Sequence, residues 1–218
     1  MLIQEAHWFK QQLASLEPAQ VFPMCNVGSS TAAFRTRDQP WIEEAIFAPI
    51  ARQGYVVKHL DAKPAPGVDI IGDLGDPEFR KQISCMEFKS AFCSNLLEHV
   101  VQRDAICRTL VSIIPSGGYL FISVPFSFPY HPDPIDTGFR PSVEELAALF
   151  VGTRLVRSAI VTGDAFLKLR RRDPIVFALT LIRCLFPFYK PVCWWRNRGY
   201  VTWFFRRVSA SCVVLRKD

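Results

Sequence analysis

None of the seven cysteines forms a C-x-x-C pair, and their number is odd. That excludes a disulfide framework and a zinc knuckle, and it fits a reducing cytoplasm. No G-x-G-x-x-G occurs, which counts against a nicotinamide-binding oxidoreductase. No apolar run reaches the roughly 20 residues that a transmembrane helix needs. The one candidate is cut by Arg183 and Pro187. Met1 to Gln20 has no basic stretch followed by an apolar one, so a signal peptide is not expected. The 16 prolines follow no period and no repeat is visible, which excludes collagen-like and low-complexity chains. Only four histidines occur, His7, His59, His99 and His131, so side chains suited to proton transfer near neutral pH are few.

What is present suffices for a packed core. The chain has 218 residues, half of them hydrophobic and 21% charged, which fits one domain with an appendage. Charge is unevenly spread. Residues 1–150 hold 12 Lys+Arg against 17 Asp+Glu, a net of −5, whereas residues 151–218 hold 14 against 3, a net of +11. The two parts are expected to meet different partners.

Apolar residues at Leu2, Ile3, Ala6, Phe9, Leu13 and Leu16 predict a first helix. Strands follow at Val21–Val27, Tyr55–Leu60, Val68–Ile71, Ser90–Ser94 and Tyr119–Val124, with two more at Leu155–Thr162 and Ala210–Leu215. Helical patterns separate them at Pro40–Gln53, Pro77–Ile83, Leu97–Ile114 and Pro141–Phe150. Strand and helix alternate, which predicts an α/β domain with a mostly parallel sheet. Ligands of such sheets bind beyond the carboxyl ends of the strands.

The residues at those ends are chemically distinctive. Asn26-Val-Gly-Ser-Ser30 ends the first strand, and its small residues let a backbone approach a ligand. Asp61 ends the second strand with a carboxylate able to accept from both hydroxyls of a ribose. Asp73-Leu74 follows the third, a carboxylate for an amino group beside an apolar surface for a ring. Asn95-Leu-Leu-Glu-His-Val100 follows the fourth, and Pro115-Ser-Gly-Gly-Tyr-Leu-Phe-Ile-Ser-Val124 leads into and forms the fifth. In this order and spacing, from Val21 to Phe150, the chain resembles the class I S-adenosylmethionine-dependent methyltransferases.

The resemblance implies a Rossmann-like α/β fold with a mostly parallel seven-stranded sheet and helices on both faces, to which the composition after residue 165 adds a basic hydrophobic insertion before the last strand. All of 1–218 would form one domain, with an N-terminal helix in 1–20, a core in 21–165, the insertion in 166–207 and the last strand in 208–218. The cofactor would be S-adenosyl-L-methionine. Asn26, Gly28, Ser29 and Ser30 would face its amino-acid part, Asp61 its ribose, Asp73 and Leu74 its adenine, and Asn95 and Leu96 the methionine and methyl. The chain departs from the family where Asn26 replaces an acid and Ser30 a glycine. An insert around Phe34 to Gln39 lengthens the path to Asp61. These departures keep a second reading open, a non-catalytic scaffold on the same fold.

Methyl transfer needs alignment of the acceptor and, for a hydroxyl, removal of a proton. His7 is expected in solvent and His59 in a structural role. His99 follows the fourth strand near the expected methyl. His131 lies in the proline-stiffened loop after the fifth strand with Tyr130, Asp133 and Asp136. His131 and His99 are therefore the expected catalytic residues, with Tyr130, Asp133 and Asp136 toward the acceptor. Neighbouring carboxylates are expected to keep His131 basic. Metal binding is the rival use of these residues, with Glu98, His99, His131, Asp133 and Asp136 as an oxygen and nitrogen donor set, but no distinctive metal-ligand spacing is present, so no metal is expected.

After residue 165, Lys and Arg interleave with Ile175–Ile182, Leu185-Phe-Pro-Phe-Tyr189, Trp194-Trp195 and Trp203-Phe-Phe205. That composition suits an element lying on an anionic membrane surface. A cap over the site or a homodimer interface is the competing reading, and nucleic acid suits such dense apolar runs poorly. The expectation is a cytoplasmic enzyme, peripheral on a membrane, that O-methylates a small-molecule, glycan or lipid-linked acceptor.

Overall fold

The computed structural model describes residues 1–131, 135–165, 175, 177–179, 182, 188, 191–196, 203 and 206–218. Its centre is one seven-stranded sheet. The strands are β1 (Met24–Val27), β2 (Val57–Asp61), β3 (Ile70–Ile71), β4 (Ser90–Ser94), β5 (Tyr119–Ser127), β6 (Thr153–Ala165) and β7 (Arg207–Lys217). Their order is β3-β2-β1-β4-β5-β7-β6. The first five are parallel to their neighbours, and β7 runs antiparallel between β5 and β6. The chain steps outward from β1 to β2 and β3, then crosses back to β4 on the other side of β1. The switch point therefore falls at the carboxyl ends of β1 and β4, where an α/β sheet opens a crevice.

Side-chain alternation explains why the sheet is covered on both faces. Leu120, Ile122 and Val124 of β5 join one core cluster with Cys93, Val213 and Leu215. Tyr119 and Phe121 of the same strand join the other with Phe92, Cys212 and Val214. Helices Pro77–Ser84, Arg103–Ser112 and Val143–Ala148 bring Ile83, Leu110 and Leu146 to the first cluster. The last of these starts at a capping box. Ser142 Oγ accepts from Glu145 N, and Glu145 Oε2 accepts from Ser142 N. The opposite face is covered by α1 (Ile3–Ala14) and by the helical stretch from Pro40 to Arg52, which contains a wide turn at Glu43–Phe47. Phe9 of α1 is fully buried, edge-on to Phe92 and Phe121 at 4.9 and 6.5 Å between ring centres.

Three expectations change. The first strand begins at Met24, because Val21 closes a short helix, Pro18–Val21, ahead of it. The pattern Leu97–Ile114 is not one helix but a short turn, Leu97–His99, and a helix that starts at Arg103. Val100 is extended between them, and the Glu98 carbonyl is taken by the Thr137 backbone N–H and hydroxyl instead of the next helical turn. The insert around Phe34 to Gln39 is itself helical, a wide turn at Phe34–Asp38. Cys25, Cys93, Cys107 and Cys212 are buried free thiols, as core residues should be. Burial pushes Cys25 and Cys107 up to about 12. Of the expected insertion 166–207, a short helix Pro191–Arg196 and a few single residues fall within the described residues, and β7 begins at Arg207.

Phe9→Ala should destabilise the fold by about 3–5 kcal/mol, because a large cavity opens between α1 and the sheet. Urea denaturation would show a lowered midpoint at unchanged slope. An unchanged midpoint would mean that α1 contributes little to the core.

Candidate functional site

Two cavities open at the carboxyl ends of the strands. The larger, about 540 Å3, is lined by Asn26, Gly28, Ser29, Ser30, Asp61, Asn95 and Leu96. These are seven of the nine residues expected to face the cofactor. The other two lie elsewhere. Asp73 is exposed and accepts from Gly75 N at 2.7 Å, closing its own turn, and Leu74 is buried in the core. Ala62, Lys63, Ala65 and Val68 line the wall beyond Asp61 instead. They belong to the loop between β2 and β3, which sequence patterning passed over.

The backbone is tightly specified here. Gly28 has φ +68°, and an added Cβ would lie 3.1 Å from the Leu96 side chain. Asn95 has φ +51°, a left-handed conformation that Asn tolerates better than most residues. Ser30 stands where the family pattern has glycine and still adopts φ +54°. Its N–H donates to Asp61 Oδ2 at 2.9 Å, while Asp61 Oδ1 accepts from Lys63 N at 3.1 Å. Each carboxylate oxygen keeps a further lone pair.

Asn26 is buried, and its Nδ2 donates to His59 Nδ1 at 2.9 Å. The ring must therefore be neutral at Nδ1. Burial lowers His59 to about 4, assisted by the Arg35 charge and opposed by Asp69. Arg35 comes from the Phe34–Gln39 insert and was not foreseen as a site residue. Its guanidinium donates to the carbonyls of Ser29, Ser30 and Gly67 at 2.8–2.9 Å, tying the glycine turn to the β2–β3 loop. Only knowledge of the surrounding carbonyls could single it out.

The smaller cavity, about 430 Å3, is lined by Glu5, Trp41, Glu98, His99, Phe128 and His131 among others. Asn95, His99, Phe34 and Met1 line both cavities, so the two meet there. Glu5 of α1 is fully buried. Its Oε1 accepts from Ser94 Oγ, Asn95 Nδ2 and Ser123 Oγ, and its Oε2 from Leu2 N at 2.9 Å. The sequence did carry a signal for it: an acid on the apolar side of an amphipathic helix, four residues before Phe9.

His99 and His131 face the smaller cavity with their rings edge to face, 5.3 Å between centres. His99 Nδ1 donates to the Ile135 carbonyl, and His131 Nδ1 lies 3.0 Å from the Pro129 carbonyl. Each Nε2 therefore carries the lone pair in the neutral ring. His7 is exposed, as expected. Two expectations about the loop need correction. Asp136 does not face an acceptor. Its side chain is fully buried and accepts from Arg140 twice and from the backbone N–H of His131 and Gly138. Burial opposes its ionisation, but these donors outweigh it and hold the carboxyl at about 2. Nor is His131 kept basic. Burial lowers it more than the Pro129 carbonyl and Asp136 raise it, and Arg140 offsets the Asp136 charge. Tyr130 packs under the Arg196 guanidinium at 4.4 Å rather than on the cavity wall. Asp133 lies outside the described residues. Glu98 is the third buried acid, and burial raises its carboxyl to about 7.

No family model and no curated protein matches the chain in sequence. Solved structures do match in fold. Coclaurine N-methyltransferase, bound to N-methylheliamine and SAH, is 14% identical with a TM-score of 0.57, over 96% of this chain and 69% of that one. A SAM dependent methyltransferase from Archaeoglobus fulgidus is 12% identical with a TM-score of 0.53, over 97% and 94%. The [4+2]-cyclase SpnF is 14% identical with a TM-score of 0.53, over 97% and 80%. The chain has the class I methyltransferase fold.

A neutral His59 has a pH consequence. Its folded value lies near 4 against an ordinary 6.5, so the unfolded chain binds more protons between those values. Stability from this group is complete above about pH 6.5 and is lost as pH falls toward 4. His59→Gln, which keeps an acceptor for Asn26, should flatten the stability profile in that window. An equally steep acid limb in the variant would contradict the assignment.

Proposed function

We propose that the protein is an S-adenosylmethionine-dependent methyltransferase acting on the hydroxyl of a small, glycan or lipid-linked acceptor. One observation carries this reading: a cavity at the sheet's switch point, with a ribose-type carboxylate at Asp61, opens beside a second cavity at Asn95 and His99. The residues fit the cofactor. Gly28 and Leu96 shape a close approach, Asp61 accepts hydroxyl hydrogens with its remaining lone pairs, and the Asn95 side chain is pre-oriented by Glu5. When bound, S-adenosylmethionine supplies a sulfonium-activated methyl group. The chain's own task is then to align the acceptor. Trp41 and Phe128 offer apolar walls, and the His131 Nε2 lone pair receives the acceptor's hydroxyl.

Asn26 favours a second reading, a scaffold without cofactor, because an amide bonded to neutral His59 offers no carboxylate. Calorimetry with S-adenosylmethionine and S-adenosylhomocysteine separates the two. Micromolar binding of either supports the enzyme, and none in a folded sample supports the scaffold. Asp61→Ala should weaken binding by about 1–3 kcal/mol, roughly 5- to 150-fold. Wild-type affinity in that variant would remove Asp61 from the site.

The membrane-proximal part of the proposal draws on the basic segment. No helix among the described residues is long and apolar enough to cross a membrane. Phe188 and Trp195 are nevertheless 88% and 79% exposed, as suits side chains that dip into a headgroup layer. Phe188→Ala combined with Trp195→Ala should reduce sedimentation with anionic liposomes, and added salt should reduce it further. Equal sedimentation of variant and wild type would refute membrane contact through these residues.

A further inference from the structure

Three carboxylates of the active-site region are wholly buried, and they are not alike. Glu5 and Asp136 each have at least four hydrogen-bond contacts. Glu98 has none among the described residues: its side chain is 0% exposed, and neither Oε1 nor Oε2 has a hydrogen-bond partner. An ionised carboxylate out of water without donors is costly unless it takes up a proton or a cation meets it. His99 Nε2 lies 3.7 Å from its Oε1.

We propose that Glu98, His99 and His131 form a divalent transition-metal site in the wall of the smaller cavity. One ligand atom from each lies within 4.8 Å of the other two. A cation about 2.0–2.2 Å from each would draw them to roughly 3.5 Å separations, a shift of about 1 Å. Both imidazoles are held in the way metal-ligating histidines usually are. Nδ1 is engaged by a backbone carbonyl, Ile135 for His99 and Pro129 for His131. The tautomer and ring orientation are thereby fixed, which leaves Nε2 as the ligand atom of each ring. His131 is further steadied by Asp136, 3.3 Å from Nδ1, which Arg140 holds in place.

Two imidazoles and one carboxylate select a borderline cation such as Zn2+, Co2+ or Fe2+ over Mg2+ or Ca2+, which prefer all-oxygen shells. Three protein ligands leave a position open, and all three residues line the cavity of about 430 Å3. The site stands on its geometry alone. Its role rests on the methyl-transfer reading. The acceptor's oxygen would occupy the open position in place of a direct hydrogen bond to His131; the cation would lower its pKa, so that its proton passes to solvent water as the oxygen takes the methyl group and the sulfonium leaves as the neutral thioether.

Chelator-treated full-length protein titrated with Co2+ should develop saturable visible d–d absorption at one equivalent, displaced by Zn2+. Glu98→Gln and, separately, His131→Gln should weaken Co2+ binding at least tenfold while circular dichroism stays native. Absence of the absorption, or unchanged binding in both variants, overturns the site. S-adenosylhomocysteine titrated into the same samples keeps the two readings apart. Cofactor binding without the Co2+ signal overturns the metal site and spares methyl transfer. A Co2+ signal sensitive to both variants, without cofactor binding, upholds the metal site and removes its proposed role.

Discussion

The Glu5 carboxylate is the constraint on which the site depends. It is fully buried, so every lone pair it brings into the protein must find a donor. The donors come from three places: the start of α1 at Leu2, the end of β4 at Ser94 and Asn95, and β5 at Ser123. Charge-assisted hydrogen bonds are worth about 1.5–3 kcal/mol each, enough together to offset the several kcal/mol lost on dehydration. Phe9, one turn further along, supplies the apolar half of the same docking by packing on Phe92 and Phe121. The hydrophobic stripe brings the acid to the sheet, and the acid fixes the Asn95 side chain where the two cavities meet.

The sheet was legible because its strands are short apolar runs that stop at Gly, Asp or Asn, and those stops are where a ligand crevice must lie. Asp61 and Gly28 could be placed on that basis alone. The misses share one physical cause, contacts between residues far apart in sequence. The break at Val100 follows from Thr137 capturing the Glu98 carbonyl, and helical periodicity does not register it. Asp136 looked like an acceptor ligand because it sits two residues past a proline-bracketed stretch with His131. Arg140, one helical turn's distance later, claims it instead. Arg35 looked like part of a spacer, yet three carbonyls from two loops converge on it.

The departures from the family pattern make sense as a set. With Asn at position 26, the amide pairs with a neutral histidine, and no second charge is buried beneath the glycine turn. The Arg35 guanidinium then provides the local positive charge, and Glu43, Asp69 and Asp61 oppose the effect of its burial. Arg35 also binds the Ser29 and Ser30 carbonyls, which helps hold Ser30 at a positive φ that serine adopts reluctantly. Arg35, from the insert around Phe34 to Gln39, thus stabilises a turn that has serine rather than glycine at position 30.

The fold by itself does not choose the reaction, since a [4+2]-cyclase shares it with methyltransferases. In the reading proposed above, the acceptor is met in the smaller cavity. There the Leu97–His99 turn, freed from the following helix by Val100, directs Glu98 and His99 toward the loop carrying His131. Had Leu97–Ile114 formed one helix, the ladder would have claimed the Glu98 carbonyl and Thr137 would have lost its anchor. The loop would then have lost its tie beside Asp136. The irregular turn after β4 is therefore what brings Glu98 and His99 together with His131 in one titratable cluster on the cavity wall.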